Sequence, residues 1–125
     1  MKRFAIAVFS LLLTIIFSIG NYFLVCNKVD TIISVMEKDR QFTLTAGKAD
    51  KKRTSEITEV WEKHEVFLVS MMTHHELEDV EIGVQCLNDY VNQEFTHEYI
   101  KTLNECINKL EHIKETQLPD IKNIF

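Results

Sequence analysis

Five histidines and three cysteines are the residues in this chain whose types could bind a metal or carry redox chemistry. His64 and His75 stand eleven residues apart, so they share a face only if one helix carries both. They would then lie about 16 Å apart, too far to ligate one ion together. His74 and His75 are adjacent and point about 100° apart on a helix. His97 and His112 stand alone, and neither H-x-x-x-H nor H-E-x-x-H spacing occurs. A metal would need ligands from several helices, such as His75 with Glu78 or Asp79. The plainer reading puts His64 and His75 at core edges, hydrogen-bonded, with the other histidines facing water. No cofactor or metal is assigned. A small-ligand or metal sensor built on His64, His75 and neighbouring carboxylates stands as the second functional reading.

Cys86 and Cys106 are twenty residues apart, centred on residue 96, and the turn between the last two helices is expected near Glu94 to His97. In an antiparallel hairpin, residues equidistant from the turn lie opposite each other, which makes this pair a candidate disulfide. Cys106 lies on an apolar stripe and Cys86 flanks its own, so two small core residues that happen to match is the alternative. Cys26 has no partner in sequence. No nucleophile–base pair is evident, and three glycines in all leave no glycine-rich phosphate loop. Glu56, Glu59, Glu62 and Glu65 recur every three residues, and Glu76, Glu78, Asp79 and Glu81 form an acidic patch. Calcium loops need acidic residues at fixed offsets around a glycine, which this pattern lacks. It reads as a solvated helix face or a docking surface for a basic partner. A thin helical bundle has little room for a water-excluding pocket, so no enzyme is expected.

The elements that must position these residues are helices. No segment alternates apolar and polar residues as a half-buried strand would. Val25, Val29, Ile32, Ile33 and Met36 form a first stripe, fading near Thr45–Ala46–Gly47, where Gly47 reads as a helix stop. Ile57, Val60, Trp61, His64, Phe67, Leu68, Met71 and Met72 form a second, with Trp61 as the central anchor of the core. Leu77, Val80, Val84, Leu87 and Val91 form a third. Tyr99, Ile100, Leu103, Cys106, Ile107, Leu110 and Ile113 form a fourth, ended by Pro119. Thr73 to Glu76 fits a capping box that would start a new helix, yet no Gly or Pro stands there, so residues 50–91 read equally as one helix or two. The predicted fold is all-α, an N-terminal transmembrane helix continuing into a small antiparallel helical bundle. Residues 1–26 are a short N-terminus and anchor, 27–116 the bundle, and 117–125 a tail.

The anchor is Phe4 to Cys26, 23 residues without a charge. At about 1.5 Å per residue it reaches roughly 34 Å, enough to cross a hydrocarbon core of about 30 Å. Fourteen of these residues are Leu, Ile, Val or Phe. Together they favour insertion by on the order of 6 kcal/mol. Lys2 and Arg3 keep the N-terminus cytoplasmic and place the bundle outside, on the extracytoplasmic face of the cell membrane. Cleavage as a signal peptide after Gly20 is the rival, but Tyr22–Phe23–Leu24–Val25 carries the apolar run past that point. Lipidation of Cys26 conflicts with the bulky Val25 before it.

Charge follows the same division. The chain holds 14 Lys and Arg against 19 Asp and Glu, and only Lys2 and Arg3 precede the anchor. The remainder therefore carries 12 cations and 19 anions, a net of −7. An acidic domain of this size is ill suited to nucleic acid, whose phosphates need a basic surface.

The Trp-Glu-Lys-His stretch (Trp61 to His64), the His-Glu-Leu-Glu segment (His75 to Glu78) and the Asn-Ile-Phe end (Asn123 to Phe125), behind a short apolar anchor, make the chain similar to an uncharacterised bacterial family, domain of unknown function family 4363. The resemblance covers nearly the whole chain, through short motifs. It implies a membrane-anchored helical envelope protein of Gram-positive, largely spore-forming bacteria, working beside an integral membrane partner. The family supplies no catalytic residues to carry over.

The expectation is thus a non-enzymatic, membrane-anchored interaction or accessory module of the bacterial envelope. The candidate contact residues are Trp61, His64, His75, Glu78, Asn123, Ile124 and Phe125. The tail's Ile121, Ile124 and Phe125 would either dock on their own domain or plug into a partner. The stripe through Val25, Val29, Ile32 and Met36 crosses the anchor boundary without Gly or Pro, so the bundle would sit at a fixed angle to the membrane.

Overall fold

The fold is all-α. The structure, a computed structural model, describes residues 1–71 and 74–117. Thr73, where the sequence places a capping box, and the tail with Asn123, Ile124 and Phe125 lie outside the described residues. Four helices follow in order: α1 (Lys2–Ala46), α2 (Lys51–Met71), α3 (His74–Gln93) and α4 (Thr96–Gln117). Residues 50–91 thus form two helices rather than one, and α2 and α3 pack on each other.

The helix ends are set by local chemistry. α1 stops at Gly47, whose φ of 72° is left-handed and whose N–H donates to the Thr43 carbonyl at 2.8 Å. Gly is suited to this position because it has no Cβ to clash there. The Asp50 side chain accepts the Lys52 N–H at 3.2 Å, an N-cap bond that starts α2. α3 ends at Glu94 with φ 59°, and the Phe95 N–H reaches back to the Tyr90 carbonyl at 3.0 Å. The Tyr90 and Phe95 rings, 6.4 Å apart, supply the apolar contact that goes with this type of C-terminal turn. A two-residue link, Glu94 and Phe95, then suffices to reverse the chain.

The bundle is a ring: α1 packs on α2 and α4, and α3 packs on α2 and α4. All five residues of the first predicted stripe are buried, as are all five of the third. In α2, Ile57, Trp61 and Leu68 are buried, while Val60 and Phe67 pack partly against the core. In α4 only Ile100 of the predicted stripe is half-exposed.

α1 is two things in one rod. Its first stretch is exposed, and an 18-residue window there has mean hydropathy 2.2 with none of it buried. It is long and apolar enough to span a membrane. Within it, Thr14 donates to the Ser10 carbonyl at 2.9 Å, which satisfies a hydroxyl on an apolar segment. Burial begins at Val25 and continues to Thr43, where the same helix is one wall of the core.

A close approach lies between α3 and α4. A Cβ at Gly83 would stand 2.3 Å from the Cys106 sulfur, so the glycine makes room for the thiol. Gly83→Ala should therefore lower stability by about 1–2 kcal/mol, an overpacking cost partly offset by alanine's better helix propensity. Adding Cys106→Ala should recover most of that loss, because the new methyl then occupies the sulfur's place. Thermal unfolding of the four chains of this double-mutant cycle reads the coupling, and additive effects would show that the two residues do not compete for space.

Candidate functional site

The most constrained chemistry in the molecule is a buried polar cluster at the end of the bundle far from the apolar rod. Asp39 and Thr43 of α1, Thr54 of α2 and Tyr99 of α4 are all buried. The Tyr99 hydroxyl donates to Asp39 Oδ2 and lies 2.7 Å from Thr54 Oγ1. Thr43 Oγ1 contacts Asp39 Oδ1 at 3.4 Å, and Thr54 Oγ1 is 3.0 Å from the Asp50 carbonyl. Burial pushes the Asp39 carboxyl above its usual 3.8, while its hydrogen bonds to Tyr99 and Thr43 and the Arg53 charge pull the other way. Burial, with the Asp39 bond next, raises the Tyr99 hydroxyl so that it stays protonated.

Tyr99 gives its hydrogen to Asp39, and the Thr54 hydroxyl has both the Tyr99 oxygen and the Asp50 carbonyl within reach, so each hydroxyl hydrogen in the row has an acceptor. The arrangement ties three helices together, but at 1% exposure Asp39 reaches no solvent-borne substrate. Around it, the Arg53 guanidinium lies 4.2 Å from the Phe42 ring centroid, and Arg40 donates to Asn104 at 3.0 Å.

A second group sits at the other end, where α1 leaves its apolar stretch. Lys28 lies 4.9 Å from the Phe67 ring centroid, a cation–π contact. His64 is half-buried, and burial, with Lys28 and Lys63 nearby, lowers its pKa, which keeps the ring neutral. Its Nδ1 and the Trp61 Nε1 one turn away are buried without a hydrogen-bond partner among the described residues. Lys114 of α4 pairs with Asp30 of α1. Between α2 and α3, burial first and the Glu81 charge second raise the Glu65 carboxyl.

The predicted site residues are not gathered in one place. Trp61 is 2% exposed and belongs to the core, so it presents no surface to a partner in this conformation. His75 and Glu78 are exposed on α3. Asn88 donates to Thr58 at 2.9 Å, which puts His64 level with about residue 82 of α3. His75 is then about seven residues, roughly 10 Å, further along the bundle. Among the described residues, no group of three or more His, Cys, Asp or Glu is placed to hold a metal.

Cys26, Cys86 and Cys106 are free thiols, Cys106 buried and the other two half-buried. Glu76 faces His112 at 3.6 Å and Asp79 faces Lys109 at 3.3 Å, so α3 and α4 pair about a midpoint near residue 94, not 96. Cys106 is therefore level with Gly83, and Cys86 lies one turn along. A shallow groove of about 230 Å³ opens beside this seam, lined by Asp79, Gly83, Thr102, Glu105, Cys106 and Lys109.

The Asp39 cluster is absent from the sequence reading, which carries the first helix to Gly47 but names no stripe residue beyond Met36. The signal was there: 25, 29, 32, 36, 39 and 43 keep one alternating spacing of four and three, so Asp39 and Thr43 hold core positions.

Two substitutions test the cluster. Tyr99→Phe leaves the buried Asp39 with Thr43 alone and Thr54 with the Asp50 carbonyl alone, and should cost about 1–3 kcal/mol of stability. An acid with a raised folded-state pKa holds its proton more tightly folded than unfolded. Its stabilising contribution is thus complete below about pH 4 and is lost as pH rises through the raised value. The melting temperature of Asp39→Asn relative to the native chain should climb as pH is taken up from about 4. A difference that stays constant with pH would contradict a raised Asp39 pKa.

Comparison with known proteins adds one match. A family model described as a domain of unknown function, DUF4363, matches residues 24–124. No curated protein and no solved structure matches.

Proposed function

We propose, for a chain that belongs to the DUF4363 family, that it is a non-enzymatic, single-pass membrane protein of the bacterial envelope. Its helical bundle is held outside the cell membrane at a fixed angle and serves as an accessory module for an integral membrane partner. The observation that carries this reading is α1. An exposed apolar stretch and a wall of the core are one uninterrupted helix, with no Gly or Pro at their boundary. A tether that only kept the bundle near a membrane would not need such stiffness, whereas presenting one face to a neighbour in the same bilayer does.

Further support comes from the charge and from the buried groups. Lys2 and Arg3 precede the apolar run, as expected for a cytoplasmic N-terminus. The part beyond Cys26 carries 12 cations and 19 anions, which disfavours nucleic acid. The best-organised titratable residues, Asp39 and Tyr99, are sealed within the core.

Cross-linking of the full chain in intact membranes tests the proposal. The native chain should stay with the membrane through an alkaline wash and give an adduct with a polytopic membrane protein. A flexible Gly-Ser insert between Phe23 and Leu24 should leave the bundle's melting temperature unchanged and abolish that adduct. Release by the alkaline wash would overturn the anchor. An adduct that survives the insert would overturn the fixed geometry, and self-adducts alone would replace the partner with a homo-oligomer.

A further inference from the structure

Ser10, Thr14, Ser18 and Asn21 are all the Ser, Thr and Asn residues of the uncharged stretch Phe4 to Cys26. Each follows the one before by three or four residues. The same step leads on through Val25, Val29, Ile32, Met36, Asp39 and Thr43, which are buried in the bundle. At about 100° per residue, the whole series projects into one arc of about 100°. The polar side of the apolar rod is therefore the side on which the bundle stands. Phe9, Leu13, Ile16 and Phe23, all exposed, project from the other half of the rod.

These polar groups differ in how they are satisfied. Thr14 donates to the Ser10 carbonyl at 2.9 Å. The Asn88 carboxamide donates to the Val84 carbonyl at 3.0 Å, one turn back on its own helix, whereas the Asn21 carboxamide makes no hydrogen bond among the described residues. In hydrocarbon no water can serve it, and a side chain on a neighbouring helix is the available partner.

The bundle overhangs that same side. Lys28 lies over Phe67, so Met71, which ends α2 one turn further on, is level with about residue 24 of α1. Lys114 pairs with Asp30, so Gln117, which ends α4, is level with about residue 27. Both ends thus reach the level of Cys26, where the uncharged stretch stops. α1 packs on α2 and α4, and α3 stands across the ring from it. Packed helices keep their axes about 8–10 Å apart. A helix seated on the polar side of the rod would therefore run into the bundle if it continued past Cys26. A second copy of this chain does continue, because its own α1 extends to Ala46. A parallel pair joined through this side would drive both bundles into one space.

We propose that the side of the rod bearing Ser10, Thr14, Ser18 and Asn21 is the docking face for a membrane-spanning helix of another protein, one that leaves the bilayer in a short turn beneath the bundle. Small hydroxyl side chains let two backbones approach closely, and Ser, Thr and Asn bond across helices. The partner helix therefore presents small or hydrogen-bonding side chains here, one of them to the Asn21 carboxamide. This face has its role only if α1 spans the membrane, the reading on which it rests.

The test uses the full chain in intact membranes. A leucine-sized diazirine amino acid replaces either Leu11, which projects within about 20° of Ser18, or Ile16 on the other half of the rod. On irradiation, Leu11 should give an adduct whose linked peptide lies in a membrane-spanning segment of another protein, and Ile16 should give lipid alone. Thr14→Leu with Ser18→Leu should abolish the Leu11 adduct and leave the bundle's melting temperature unchanged. Retention through an alkaline wash with no protein adduct from Leu11 would overturn the docking face and leave the anchor standing, whereas release by the wash would remove both. An adduct between two copies, an adduct with the chain's own residues 118–125, equal adducts from Leu11 and Ile16, or a Leu11 adduct that survives the two substitutions would each overturn it.

Discussion

A helix kinks sharply only where its backbone hydrogen-bond ladder is interrupted, and α1 runs for 45 residues without a proline. Everything else in the molecule is arranged along that rod. Val25 is the first residue to be covered, and from there α2 and α4 lie against its sides while α3 closes the ring. The apolar stretch and one wall of the bundle are therefore a single continuous helix. The stripe of Val25, Val29, Ile32 and Met36 has one azimuth on the rod, so the side of the apolar stretch beneath the bundle is fixed by the same helical phase.

The two ends of the bundle are held by different physics. Near the apolar stretch the polar contacts are peripheral to the core: Lys114 on Asp30, Lys28 over Phe67, and a His64 nitrogen without a partner among the described residues. Ion pairs of this exposure contribute little each and weaken with salt. At the far end, Asp39, Tyr99 and Thr54 join three helices through hydrogen bonds shielded from water. Opening that end requires separating groups that would find no other partner until solvent entered. Local unfolding should thus begin at the end nearest the rod's apolar stretch rather than at the far one.

Much of this was legible from periodicity. Four stripes gave four helices, and Gly47 gave a stop. The reading failed where a core position holds a polar residue, because a hydropathy pattern skips Asp39, Thr43 and Thr54 even though their spacing continues the stripes. It also displaced the α3–α4 register by a turn. α3 runs on to Gln93 and reverses through Glu94, a left-handed residue that is neither Gly nor Asn and so carries no turn signal. That shift set Cys106 against Gly83 rather than directly opposite Cys86. Trp61 was placed correctly in the core by its stripe, and its burial removes it from the contact surface that the same reading assigned to it.

Four amphipathic helices with Leu, Ile and Val along their inner faces can be packed in more than one alignment at similar energy, since one aliphatic side chain substitutes readily for another. The Asp39 hydroxyl network removes that degeneracy. Sliding α4 by a single turn would bring Leu103 or Phe95 to the place of Tyr99 and leave a carboxyl buried against hydrocarbon. An aliphatic contact tolerates such a slip, and an orphaned acid does not. The cluster is thus a key cut for one lock: its chief effect is on how many structures the chain can adopt, and only secondarily on how stable the adopted one is.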